Sequence, residues 1–249
     1  MRGYGWRPDL PDHRDHKLSL ARVDLLPSKV DLSPLCPPVY DQGSLGSCTA
    51  NAIAAAYEFD LLRQKKRLFT PSRLFIYYNE RAIEGTIRED AGAELRDGIK
   101  TLVNLGTCTE STWPYVISKF ARKPTKAAYT QGLRHQAVSY QRLDNTQIGQ
   151  LKSCLASGFP IMFGFTVYES FESQDVANTG VVAYPQPSEG VVGGHAVLLV
   201  GYDDATQTFK VRNSWSASWG LKGYFTLPYS YVTNPNLADD FWVLRGVEG

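Results

Sequence analysis

The chain has 249 residues, is 43% hydrophobic and 12% aromatic, and carries a formal net charge of +1. That length supports one large domain or two lobes with proper cores, and the scattered charge argues against nucleic acid or an anionic membrane as main partner. No apolar run approaches the ~18 residues of a membrane span, and four cysteines are too few for a disulfide scaffold.

Residues 1–28, opening "MRGYGWRPDLPDHRD", have no period and read as an extended arm, equally a disordered tail or a strap docked through Tyr4, Trp6 and two prolines. The stretch lacks the apolar segment of a secretory signal, and the compartment stays open. Four helices are expected next. The first is "CTANAIAAAYEFDLLR" from Cys48, and the basic "RQKKR" after it reads as a solvated helix end. The second, "TPSRLFIYYNERAIEG", opens on a Thr-Pro cap signal and closes on Gly85. "AELRDGIKTLVNLG" ends at Gly106, and "LDNTQIGQLKSCLASG" takes Asp144 as cap and Gly158 as stop. After Gly158 the pattern turns to strands: "FPIMFGFTVY", "HAVLLVGYDD", "TFKVRNSW", "GYFTLPYS" and "DFWVLRG". Helices first and strands second predict an α+β fold of two lobes: helical over about 36–135, β over about 136–249, with a site in the cleft between them.

Cys48 follows the glycine turn "DQGSLGSC" and opens a helix, where unpaired N–H groups and the helix dipole favour a thiolate. A nearby imidazolium lowers a thiol further. Of the four histidines, His195 heads an apolar strand after two glycines and is the candidate base. Asn213 in "VRNSWSASWG" can hold the second ring nitrogen of that histidine, and Trp215 can cover the bond from water. Acyl transfer from a thiol also needs oxyanion donors, which the Gln42 amide and the Cys48 N–H can supply. Each element alone is explained as well by ordinary packing; the set of four in this order is not.

With these residues in place the sequence resembles the papain family of cysteine peptidases, most of all its bacterial members. The carrying motifs are Gln42 in "DQGSLGSC", Cys48, His195 in "GGHAV", and Asn213 with Trp215 in "RNSWSASWG". His195 lies 147 positions after Cys48, within the roughly 130–150 of the family. "WPY" at 113–115 and Trp219, Gly220, Gly223 and Tyr224 also match family landmarks. The resemblance covers about 29–245 and implies a papain-like two-lobed peptidase domain at 29–249, with a β-barrel-like second lobe, acting as a monomer without cofactor or metal on protein or peptide substrates. It implies cleavage through an acyl-thioenzyme at a Cys48–His195–Asn213 site with Gln42 in the oxyanion hole. It also implies that Gly92 offers backbone hydrogen bonds to an extended peptide, and that Gly46 and Gly194 line the cleft. The pocket for the second residue before the cut would involve Ala93, Phe163 or Gly164, and Gly193.

There are departures. Leu45 stands where the family carries a bridging cysteine, and Thr49 where it carries an aromatic residue. An arm of 28 residues is far shorter than the family's helical inhibitory prodomain, so a strap or partial gate across the surface or part of the cleft is expected instead. Transpeptidase, amidase or exopeptidase action would use the same chemistry, and the sequence does not separate them. A non-catalytic binding protein on this fold would have lost Cys48, His195 or Asn213. A Cys/His zinc site lacks paired ligand spacing.

Overall fold

The computed structural model describes residues 3–18 and 25–248; residues 1–2 and 19–24 of the expected arm lie outside the described residues. In chain order the elements are β1 (Lys29–Asp31), α1 (Cys48–Arg63), α2 (Arg73–Glu84), α3 (Leu95–Asn104), α4 (Lys126–Gly132), β2 (Tyr140–Arg142), α5 (Ile148–Ala156), β3 (Ile161–Tyr168), α6 (Gln174–Thr179), β4 (Val191–Asp203), β5 (Thr208–Arg212), β6 (Tyr224–Pro228), α7 (Tyr229–Val232) and β7 (Ala238–Leu244).

The segregation read from sequence holds: α1–α3 pack together, and the described strands form one antiparallel sheet in the order β2-β7-β3-β4-β5-β6, with β1 on β4. α1 is buried on all sides from Cys48 to Leu61 and packs against β4, as expected of a helix apolar around its whole circumference. Its buried polar residues are paired: Asn51 donates to the Ser47 carbonyl at 2.9 Å, and Glu58 accepts from the Tyr40 hydroxyl.

Two expected caps fall elsewhere. α2 is capped by the Ser72 hydroxyl, which accepts from Phe75 N at 3.1 Å, two residues beyond Thr70. Asp144 does not cap α5; its carboxylate turns on the local Thr146 N–H at 3.0 Å, and the helix begins at Ile148. α4 and the short β1 and β2 were not anticipated, being too short to show a period. β4 is longer than its apolar run: it begins at Val191, so His195 sits inside the strand rather than at its head. All four cysteines are free. Among the described residues no helix is long and apolar enough to cross a membrane.

Candidate active site

The elements deliver the site residues to one line. Cys48 is the first residue of α1 and wholly buried. His195 enters from β4, opposite Phe165 of β3. In the β4–β5 pair Leu198 faces Arg212, so Asn213, the next residue, arrives beside the His195 end of β4. The turn carrying Gln42 is tied to the same segment: Gln42 N donates to the Ser214 carbonyl at 2.9 Å, and Ser216 N to the Tyr40 carbonyl at 2.9 Å.

His195 Nε2 lies 2.8 Å from Asn213 Oδ1, which also accepts the Ser214 N–H at 2.8 Å. A carboxamide oxygen only accepts, so Nε2 carries the hydrogen and Nδ1 is left as the basic nitrogen of the neutral ring. Nδ1 is buried and has no hydrogen-bond partner among the described residues. Trp215 stacks on the imidazole at 4.9 Å between centroids. Sequence reasoning missed Ser214, whose hydroxyl donates to Gln42 Oε1 at 2.6 Å and so turns the Gln42 NH2 toward the cleft. Nothing in "RNSWS" distinguishes that serine from a loop residue.

The cleft is occupied by the chain itself. The Gly3 carbonyl accepts from Gln42 Nε2 at 2.9 Å. Tyr4 sets its ring edge-on to His195 and Trp215, both at 5.9 Å, and its hydroxyl donates to Glu172 at 2.7 Å. The Gly5 carbonyl accepts Ala93 N at 2.7 Å, Trp6 N donates to the Gly194 carbonyl at 3.0 Å, and Arg7 N donates to the Ala93 carbonyl at 3.1 Å. Further along, Asp15 pairs with Arg96 at 2.8 Å and with Arg142 at 3.0 Å.

Side chains are missing from the cleft wall where this segment passes. A Cβ on Gly92 would fall 2.0 Å from the Gly5 carbonyl oxygen, one on Gly194 2.4 Å from that of Trp6, and one on Gly193 2.9 Å from Tyr4. Gly46, held by Asp90 through its N–H at 3.0 Å, lies beneath Gly5. Thus Gly46, Gly92, Ala93, Gly193, Gly194 and Trp215 all border residues 3–7. Of the two pocket candidates Phe163 and Gly164, Phe163 is core, stacked on Phe241 at 4.9 Å, and Gly164 meets the Trp6 ring.

Covering the cleft alters the electrostatics expected from sequence. Burial pushes the Cys48 thiol up to about 11, although N–H groups of Ala196 and Gly5 pull the other way. Burial likewise drives His195 down to about 4, against the opposing bond to Asn213. The lowered thiol expected from the helix terminus is therefore not the state beneath the arm. For both groups loss of water is the largest influence, and it favours the uncharged form.

The sequence matches the family described as papain family cysteine protease over residues 26–240. The solved structure of xylellain, a cysteine protease from Xylella fastidiosa, superposes with a TM-score of 0.94 at 44% identity, covering 99% of this chain and 97% of that one. An uncharacterized peptidase C1-like protein of Acanthamoeba polyphaga mimivirus is 52% identical over 215 residues, 83% of this chain and 69% of its own length. A cathepsin B-like protein of Giardia intestinalis is 31% identical over 206 residues, 78% of this chain and 65% of that protein. The chain thus spans about two thirds of the length of these two curated relatives.

Proposed function

The chain belongs to the papain family of cysteine proteases, a family of hydrolases, and from that premise we propose that it is an endopeptidase acting through Cys48, His195, Asn213 and Gln42 on protein or peptide substrates. His195 Nδ1 takes the Cys48 proton, and Sγ attacks the scissile carbonyl carbon as the carbonyl electrons move to oxygen. The oxyanion is held by Gln42 Nε2–H and the Cys48 N–H. His195 then passes the proton to the departing amine, leaving a thioester. Water, deprotonated by the same nitrogen, displaces the thiol and releases the acid. Asn213 keeps the ring in the tautomer this requires.

One observation carries the reading: the Gln42 amide already holds a peptide carbonyl, that of Gly3, at 2.9 Å. A donor turned by Ser214 and satisfied by a backbone oxygen is what acyl transfer needs at that position. Residues 1–28 are proposed as an arm that gates the 29–249 peptidase domain. Beneath the arm the Gly5 N–H is directed at the Cys48 thiol. Cys48→Ala in the full chain tests the assignment. Hydrolysis of a casein or peptide library should fall to background with thermal unfolding unchanged. Hydrolysis that survives the substitution would remove Cys48 as nucleophile.

A further inference from the structure

Trp6 is buried in a recess of the cleft wall beside Gly164 and Gly194. Its ring lies against Gly164, where a Cβ would fall 1.9 Å from it. Its indole N–H donates to Asp240 Oδ2 at 3.0 Å. Asp240 is wholly buried and stands at an irregularity in the sheet. Met162 faces Trp242 and Gly164 faces Asp239, so β7 takes one residue more than β3 over the same span. Asp240 has φ +58°, in the left-handed region. A bulge of this kind re-aims a side chain, and here it aims a carboxylate at the closed end of the pocket. Arg142 holds the other oxygen, Oδ1, at 2.9 Å. Oδ2 faces the pocket and accepts the Trp6 N–H together with the Asp9 N–H, the latter at 2.8 Å.

We propose that this pocket selects a tryptophan side chain in the substrate, with Asp240 as the residue that reads the indole N–H. The inference rests on the peptidase reading above and names its specificity. A phenylalanine ring would cover similar apolar area but leave Oδ2 without its side-chain donor in a water-poor site, which is costly. Arginine is the competing donor, since Arg142 is shared among Asp15, Asp239 and Asp240; the donor seated in the structure is the neutral indole, and the test separates the two.

The test uses the full chain carrying Gly5→Val and Trp6→Ala, so that the arm cannot fill the pocket. Fluorogenic peptides place Trp, Phe, Arg or Leu at each of the three positions before the cut. At one position Trp should exceed Phe in kcat/KM by about tenfold or more, the scale of leaving one buried acceptor unpaired. Asp240→Asn is the decisive variant, because asparagine tolerates the left-handed backbone. Arg142 would keep the amide oxygen and turn the NH2 toward the pocket, where it opposes an indole N–H. The Trp:Phe ratio in kcat/KM should then fall to about one. Equal rates for Trp and Phe at every position, or an unchanged ratio in Asp240→Asn, would overturn the assignment. Arg ahead of Trp would overturn it in favour of a pocket that reads charge. Protection of Cys48 from iodoacetamide by the same peptides reports occupancy without turnover. Trp-selective protection without cleavage would uphold the pocket and sink the peptidase reading; protection without selectivity would sink the pocket.

Discussion

Replacing Gly5 by alanine adds one methyl group at the point where the arm lies closest to the cleft wall. That carbon would stand 1.7 Å from the Gly46 carbonyl oxygen and 2.5 Å from its carbon. Gly46 cannot retreat cheaply, since its N–H is held by Asp90 and it lies two residues before Cys48. Overpacking of this kind costs about 1–3 kcal/mol, and about 1.4 kcal/mol is a factor of ten in an equilibrium. The body of the enzyme gains no contact in the change, so the cost falls on the seated arm. Gly5→Ala should raise the iodoacetamide labelling rate of Cys48 and the hydrolysis rate of a peptide by the same factor, about 5- to 150-fold for that range of cost. Gly149→Ala, where a Cβ meets nothing within 4 Å, should change neither. Unchanged rates in Gly5→Ala would refute the arm as gate. So would a rise in hydrolysis without a rise in labelling.

Other outcomes follow from the same geometry. In an arm-displaced background, Gln42→Ala should lower kcat by about 10²–10³-fold, as for other oxyanion donors, with the labelling rate of Cys48 largely kept; equal loss of both would place Gln42 in folding instead. Burial, with Asp9 close by, raises Asp240 to about 8 beneath the arm, and burial raises Asp9 too. The seated state therefore binds protons more tightly than the open state, and seating should weaken as pH rises from the ordinary carboxylate range to about 8. The labelling rate divided at each pH by that of the Gly5→Val, Trp6→Ala chain, whose arm does not seat, should climb across that window and climb less in Asp240→Asn, where Asp9 alone still titrates. Thr49→Val removes the 2.6 Å hydrogen bond to the fully buried Glu80. It should cost about 1–3 kcal/mol in urea unfolding; a cost near zero would show that the carboxyl finds another partner.

Cys48, His195, Asn213 and Gln42 could be named as the proposed site because each belongs to a local motif whose residue types thiol acyl transfer requires. The two-lobed order was legible because long helices and strands carry distinct periods. Asp240 was not. Its role comes from an extra residue in β7, set by the pairing of β3 with β7, and "ADDFW" reads as an ordinary strand entry. The arm was half legible: Tyr4 and Trp6 announce anchors, but that Gly3 and Gly5 fit against Leu45 and Gly46 depends on a contact across some forty residues of chain. That burial raises the Cys48 thiol was not legible for the same reason, since a helix terminus is local information and burial by a distant segment is not.

The central claim is that Cys48 and His195 form a reactive pair once the arm leaves. The pH profile of iodoacetamide labelling at Cys48, compared between the native chain and Gly5→Val, tests it most directly. The account predicts slow labelling of the native chain throughout, and fast labelling of Gly5→Val that persists below about pH 6, as for a histidine-paired thiolate. Labelling of Gly5→Val that appears only near pH 8.5, as for an ordinary thiol, would contradict it.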